Sequence, residues 1–171
     1  MESESVPRGS FTVISHDDGS TKVEQHIEFM RLAILQAKRA APREQAFNAG
    51  VMIIGGMVPI SEGHSRDSHA PELHAAAAAV VKAQRGPHAH LLAGSTLYAT
   101  MEPCSSPAIS KTPCTSHIIN ARIRQVVIGV KEPESFVNCQ GVETLRAAGI
   151  DVVHLLLLQE ECLATNIHLL T

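Results

Sequence analysis

The sequence lacks any long run of basic residues. Its 14 lysines and arginines are outnumbered by 17 aspartates and glutamates, which gives a net charge of −3, and the longest basic run is the Lys38-Arg39 pair. A protein that follows a nucleic-acid backbone usually carries a cluster or stripe of positive charge. We therefore expect no nucleic-acid partner.

Long apolar runs are missing as well. The longest apolar stretch near the carboxyl terminus, Val152 to Leu158, is interrupted by His154 and is far shorter than the ~20 residues that a membrane span needs. The N-terminus is acidic and polar, whereas a secretory signal has a basic segment followed by an apolar one. These features predict a soluble, cytoplasmic protein without a membrane partner.

Cysteine is scarce, with 4 residues among 171. In an intracellular chain of this size, cysteines are more often metal ligands, nucleophiles or core residues than disulfides. The length and the 44% apolar content allow one well-filled core but not two comfortable domains. We expect a flexible lead-in over residues 1–20 and a single domain over residues 21–171.

The apolar pattern predicts an alternation of helices and strands. Helices are expected over residues 22–41 (ended by Pro42), 73–84, 112–121 and 141–148. Strands are expected over residues 49–54, 57–60, 95–101, 125–130 and 150–157. Such alternation implies parallel crossovers with helices on both faces of the sheet. The predicted fold class is α/β, with three α/β/α layers around a mixed, largely parallel five-stranded sheet.

Three candidate metal ligands stand at the boundaries of these elements. His74 lies in the first turn of a predicted helix, Cys104 follows a strand, and Cys114 opens a helix. Sites in open α/β sheets form beyond the carboxyl ends of the strands, and a helix N-terminus favours a thiolate. One imidazole and two thiolates suit zinc and leave a fourth position open for water. Taken singly, each would more often be a core residue than a ligand, and a core or incidental position is what we expect of Cys139 and Cys162.

A family resemblance strengthens the zinc interpretation. The segment STLYATMEPCS over residues 95–105 resembles the strand and zinc-ligand segment of the pyrimidine deaminases of riboflavin biosynthesis, in the cytidine-deaminase-like superfamily. The segments GHSRD at 63–67 and KTPC at 111–114 resemble the fungal branch. Nine residues separate Cys104 from Cys114, as in the riboflavin-pathway enzymes, whereas other nucleobase deaminases carry Pro-Cys-x-x-Cys. The resemblance covers residues 48–153.

The resemblance implies a cytidine-deaminase-like fold and a Zn²⁺ ion held by His74, Cys104 and Cys114. It further implies assembly into a homodimer and hydrolytic deamination of a small phosphorylated pyrimidine, namely a diaminopyrimidinone with a ribitylamino 5'-phosphate side chain. Donors for the phosphate and hydroxyl groups are expected at Asn48, His64, Ser65, Arg66 and Lys111. The alternative for each is an ordinary loop or turn residue.

Two acidic positions need separate interpretation. Glu102 is expected to bond to the backbone or support the metal site rather than to catalyse. In the superfamily the zinc histidine begins a His-Ala-Glu motif whose glutamate carries protons, but this chain has Ala76 at that position. Either the chain is an inactivated variant, or it is a natural pseudoenzyme, or Glu72 has taken over the role. The competing functions are a deaminase of another pyrimidine or nucleic-acid base, and a non-catalytic scaffold stabilised by zinc.

Overall fold

The computed structural model describes residues 5–41, 43–44, 46–106, 111–132 and 140–170. The strands in these ranges are β1 (Phe11–Val13), β2 (Gly50–Gly55), β3 (Val58–His64), β4 (Thr96–Met101), β5 (Gln125–Val130) and β6 (Asp151–His154). The helices are α1 (Thr21–Ala37), α2 (Ala75–Arg85), α3 (Cys114–Asn120), α4 (Gly141–Ala147), α5 (Gln159–Ala164) and α6 (Ile167–Leu170). Among the described helices, none has the length and apolar character needed to cross a membrane.

The six described strands form one sheet in the order β1-β6-β5-β4-β2-β3. Pairing is parallel from β1 through β6 and β5 to β4, and antiparallel between β4 and β2 and between β2 and β3. The predicted fold class, a mixed and largely parallel α/β sheet, is confirmed. Five strands were predicted, and the sixth is β1.

Strand β1 lies within the segment that was predicted to be a flexible lead-in. Phe11 pairs with Val152 of β6, and the amide and hydroxyl groups of Ser10 donate to Asp151 Oδ1 over 2.8 and 2.9 Å. Three residues are too few to show a period of two in the sequence. The strand is formed by its parallel pairing with β6. Residues 11–13 thus form a strand of the sheet within the segment for which a flexible lead-in was expected.

Helices cover both faces of the sheet because the strand side chains alternate between two apolar clusters. One cluster joins Val51, Leu97 and Val126 to residues of α2, α3 and α4. The other joins Met52 and Val127 to α1 and to Cys162 of α5. Cys162 is fully buried, so its predicted place in the core is confirmed, whereas Cys139 lies outside the described residues.

Two glycines bring the helices that flank the site close to the sheet. A Cβ atom at Gly50 would lie 2.0 Å from the carbonyl oxygen of Ala33 in α1, and one at Gly63 would lie 2.3 Å from that of Ala75 in α2. Gly50 pairs with His64 at the end of β3. The last turn of α1 and the first turn of α2 therefore each lie close to the sheet, on opposite faces, at the edge where the parallel strands also end.

Candidate metal centre

The three predicted metal ligands come together at this carboxyl edge of the sheet. Cys104 lies three residues beyond β4, and Cys114 is the first residue of α3. His74 directly precedes α2, in extended conformation at φ −69° and ψ 163°, rather than lying inside the first turn as predicted. Its side chain makes no cap hydrogen bond, so the imidazole is free to face the two sulfur atoms.

One potential ligand atom from each residue lies within 4.8 Å of the other two. The Nδ1 atom of His74 is 3.4 Å from Cys104 Sγ. The side chain of Cys114 is buried, whereas His74 and Cys104 are half-buried. The group therefore has a protected interior side and a partly open side.

The side chains of His74, Cys104 and Cys114 shift one another's pKa values, which favours a thiolate at Cys104 that could bind a cation. A hydrogen bond from the Cys114 thiol, followed by one from His74, outweighs burial and lowers the pKa of Cys104 to about 4. The same thiol contact and burial raise the pKa of Cys114. Contact with Cys104 raises the pKa of His74. A divalent cation would replace the protons that these three side chains share. Binding of the cation would therefore release protons into solution.

The backbone fixes the position of the Cys104 sulfur atom. The amide of Cys114 donates to Cys104 Sγ over 3.3 Å, and the amide of Thr115 donates to the Cys104 carbonyl oxygen over 3.1 Å. Such contacts orient metal ligands before a metal binds.

Glu102, in the segment that carries Cys104, bonds to two neighbouring segments of the backbone. Its carboxylate is buried and accepts from the amide of Val142 in the first turn of α4 over 2.9 Å and from the amide of Glu132 over 3.0 Å. The expectation that Glu102 bonds to the backbone is confirmed. The residue ties the ends of β4 and β5 to the start of α4.

Ala76, where the resemblance leads us to expect a glutamate, is the second residue of α2. It is 4% exposed and belongs to the apolar cluster beneath the sheet edge. Glu72, the other candidate acid, is exposed in the loop before His74. A methyl group at position 76 can neither accept nor deliver a proton.

Four of the five predicted substrate-binding residues lie together where β2 begins and β3 ends. The amide of Asn48 is buried and engaged, since its Nδ2 donates to the Thr165 carbonyl oxygen over 3.3 Å and its Oδ1 accepts from Arg66. Ser65 Oγ accepts from the Ala49 amide over 2.8 Å. The polar atoms of Asn48 thus hold the chain together, which disfavours a direct role in binding substrate.

The remaining predicted residues differ in their surroundings. His64 Nδ1 lies 3.0 Å from the Ser65 carbonyl oxygen, and Arg66 donates to the Ala41 carbonyl oxygen over 2.7 Å. Lys111 is exposed on a different loop, three residues before Cys114. His64 and Arg66 therefore share a location, whereas Lys111 lies on another segment of the chain.

Sequence reasoning missed the role of Asp67, whose buried carboxylate anchors the loop before His74. It accepts from the Lys82 ammonium of α2 over 2.8 Å and from the His69 amide over 3.0 Å. Burial alone would raise the pKa of Asp67, but these two donors outweigh it and hold the pKa well below its ordinary value. An isolated aspartate in a polar loop carries no sequence signal for this contact.

Sequence reasoning also missed two arginines. Arg39 and Arg43, which follow α1, line a cavity of about 420 Å³ together with His64, Arg66 and Ser68. The Lys38-Arg39 pair was noted only as the longest basic run. The packing of that segment against the end of β3 is a tertiary contact that local sequence patterns do not reveal.

Comparison with known proteins agrees with this geometry. The sequence model of the family described as the cytidine and deoxycytidylate deaminase zinc-binding region matches residues 23–130, which include all three candidate ligands. A diaminohydroxyphosphoribosylamino-pyrimidine deaminase of Schizosaccharomyces pombe is 37% identical over 142 residues, covering 83% of this chain and 35% of that protein.

Solved structures extend the comparison to the fold. A diaminohydroxyphosphoribosylaminopyrimidine deaminase/5-amino-6-(5-phosphoribosylamino)uracil reductase of Thermotoga maritima superposes with a TM-score of 0.72 at 32% identity, covering 84% of this chain and 40% of that one. The Rib2 deaminase of Aspergillus oryzae in complex with DARIPP shares the fold, with a TM-score of 0.69 at 24% identity over 82% of this chain and 89% of that one. The chain spans well under half of the S. pombe and T. maritima proteins.

Proposed function

The chain belongs to the family of cytidine and deoxycytidylate deaminases that share this zinc-binding region, and on that premise we propose that it holds one zinc ion and binds a phosphorylated diaminopyrimidinone. The observation that carries the proposal is the meeting of His74, Cys104 and Cys114 within 4.8 Å at the carboxyl edge of the sheet. The reaction that we propose for this substrate is its hydrolytic deamination, a step of riboflavin biosynthesis.

The donor set fits zinc. One imidazole nitrogen and two sulfurs, one of them with a depressed pKa, are ligands that zinc prefers, and three protein ligands leave one position for water. Zinc in such a site supplies hydroxide at neutral pH by lowering the pKa of water to about 7. His74, Cys104 and Cys114 would hold the ion, and the Cys114 amide that donates to Cys104 Sγ would keep that sulfur in place.

The choice of substrate rests on relatives and on one spacing. The S. pombe relative is a diaminohydroxyphosphoribosylamino-pyrimidine deaminase, and the A. oryzae structure is a complex with DARIPP. The nine residues between Cys104 and Cys114 differ from the Pro-Cys-x-x-Cys of other nucleobase deaminases. These features favour a phosphorylated diaminopyrimidinone over a free pyrimidine or a nucleic-acid base.

Catalysis needs a group that takes a proton from water and delivers it to the ring and to the departing amine. Ala76 cannot perform this step. The chain as given should therefore bind the pyrimidine but release ammonia very slowly. The same observation favours a second candidate, a zinc-stabilised binding protein without catalytic activity.

The Ala76→Glu substitution separates the two candidates. In a deaminase the new carboxylate should raise zinc-dependent ammonia release from the diaminopyrimidinone phosphate by about 10²–10⁴-fold. The matched Ala76→Gln variant has the same size but no proton-carrying group, and should stay slow. If Ala76→Glu remains inactive on this substrate with zinc and fold intact, the chain either is non-catalytic or acts on a different substrate. If the unmodified chain is already active, Glu72→Gln tests whether Glu72 has taken over.

A further inference from the structure

The imidazole of His74 is held by a side chain at only one of its two nitrogen atoms. Nδ1 lies 3.4 Å from Cys104 Sγ, and within the described part of the chain this is the one hydrogen-bonding contact of the ring. Histidines that bind metals usually donate their other ring N–H to a carboxylate or a carbonyl group, which fixes the orientation of the ring. Since no described residue does this for His74, the backbone on either side of it must set the position of the imidazole.

The backbone that follows His74 is fixed by α2. The carbonyl oxygen of His74 accepts from the Ala78 amide over 2.8 Å, as the first helical bond of α2. This helix is in turn fixed to β3, because Gly63 allows a close approach and Ser61 Oγ donates to the Ala79 carbonyl oxygen over 2.7 Å. The position of His74 therefore depends on how the chain is held on its other side.

The chain that precedes His74, over residues 65–73, belongs to no strand or helix. Two successive turns organise its second half. The amide of Ala70 donates to the Asp67 carbonyl oxygen over 3.0 Å, and the amide of Leu73 donates to the Ala70 carbonyl oxygen over 3.0 Å. These turns connect Asp67 to the residue directly before His74, so that a displacement of Asp67 would be transmitted to the imidazole.

The carboxylate of Asp67 fastens these turns to α2. It is buried and accepts from Lys82 Nζ over 2.8 Å, and Lys82 lies on α2, eight residues after His74. His64, the last residue of β3, has its Nε2 atom 3.9 Å from the same carboxylate. The ion pair thus closes a path that leaves α2 at His74, follows the two turns back to Asp67 and returns to α2 at Lys82.

We propose that Asp67 and Lys82 are positioning residues for the metal centre, which hold the His74 imidazole where it meets both cysteines. Neither belongs to the group of potential ligands, so they would act on metal affinity only through His74. With the loop fastened, less conformational freedom remains to be lost when His74 binds a metal. The inference rests on the proposed zinc site and extends it to an ion pair outside the ligand set.

The zinc affinity of the full chain, measured by competition with a chromophoric chelator, tests the proposal. We expect Asp67→Asn and Lys82→Met each to raise the dissociation constant for zinc by about tenfold to a hundredfold, as residues that orient metal ligands do. The matched variant Lys82→Arg keeps the positive charge, and the Lys82 side chain is partly exposed, which leaves room for it. Lys82→Arg should bind zinc like the parent.

A general loss of stability needs a separate control. Val153 is a buried residue of β6, a strand that carries no candidate ligand. Val153→Ala should lower the urea midpoint of the chain, as Asp67→Asn does, but should keep the zinc affinity of the parent. Comparing the urea midpoint with the zinc dissociation constant for each variant thus separates a positioning role from a merely structural one.

Substitution of zinc by Co²⁺ shows which ligand is affected. Thiolates bound to Co²⁺ give charge-transfer absorption in the near ultraviolet, whereas the visible bands depend on the whole ligand set. In Asp67→Asn we expect the thiolate absorption to remain and the visible bands to change towards those of His74→Ala. Loss of the thiolate absorption instead would overturn the assignment to His74.

Equal zinc affinities in the parent, Asp67→Asn and Lys82→Met would overturn the proposal, as would a loss of affinity that Val153→Ala reproduces. In both cases the parent still binds zinc, so the proposed metal site would stand. A parent that binds no zinc would overturn the proposed function and this inference together, which is a distinct result.

Discussion

Glu102, two residues before the candidate metal ligand Cys104, bonds to the backbone of two other segments. Its two carboxylate oxygens accept from two backbone amides, those of Glu132 and Val142. In a Glu102→Gln variant, one of these buried N–H groups would face an NH₂ group and lose its acceptor. We expect a loss of about 1–3 kcal/mol in the free energy of unfolding, measured by urea denaturation.

The control for this prediction is Glu72→Gln, an equally conservative change at an exposed position in the loop before His74. It should leave the urea midpoint nearly unchanged. Equal midpoints for the parent and Glu102→Gln would show that the two amide contacts contribute nothing to stability.

The site residues differ in how far the sequence alone could identify them. The three candidate ligands stand beside prolines or at element boundaries, and a resemblance supports them, so their meeting was predictable. The cavity lined by Arg39, Arg43 and Arg66 was only partly predictable. Arg66 belongs to a motif, whereas Arg39 and Arg43 reach the site through packing between segments distant in sequence.

At the level of elements, the periodic segments from residue 22 onward were predictable and the non-periodic ones were not. The predicted helices and strands appear with ends shifted by a few residues. The strand expected over residues 150–157 ends at His154, because a run of leucines does not distinguish strand from helix. The short helices α5 and α6 were missed for the same reason, since their packing decides their conformation.

The contact between Asp67 and Lys82 joins the loop before His74 to α2. We expect Asp67→Asn to lower the free energy of unfolding by about 1–3 kcal/mol at neutral pH. Because the folded-state pKa of Asp67 is depressed, this stabilisation is present above the unfolded pKa near 4 and is lost as the pH falls below it. The difference between parent and variant should therefore shrink in acid.

Urea denaturation of the parent, Asp67→Asn, Lys82→Met and the double variant forms a cycle that isolates the ion pair. A coupling energy near zero at neutral pH, or a difference between Asp67→Asn and the parent that is unchanged in acid, would contradict this account of the loop.

For the molecule as a whole, histidines buried without charge predict a dependence of stability on pH. His26 of α1 is buried against the Tyr98 hydroxyl at 2.8 Å, and burial, followed by the charge of Lys22, lowers its pKa. The pKa of His154 is also lowered by burial. The unfolded chain takes up protons on these residues below about pH 6.5, while the folded chain resists doing so.

Stability should therefore fall as the pH drops below about 6.5, by up to about 1.4 kcal/mol per pH unit for each such histidine. His26→Gln keeps a polar group for Tyr98 and should flatten this slope, measured by urea denaturation between pH 7 and 5. The control His16→Gln, at an exposed position, should not. A slope that His26→Gln leaves unchanged would assign the acid sensitivity to other groups.

The central claim is that His74, Cys104 and Cys114 hold one zinc ion although Ala76 replaces the expected glutamate. Its most direct test is the zinc content of the purified chain, determined by mass spectrometry of the metal beside Cys104→Ser and Cys114→Ser variants. Cys162→Ala, which removes a buried cysteine of α5, serves as the control. We predict one zinc per chain in the parent and the control, and almost none in the two ligand variants. Substoichiometric zinc in the parent, with its cysteines reacting as free thiols, would contradict the claim.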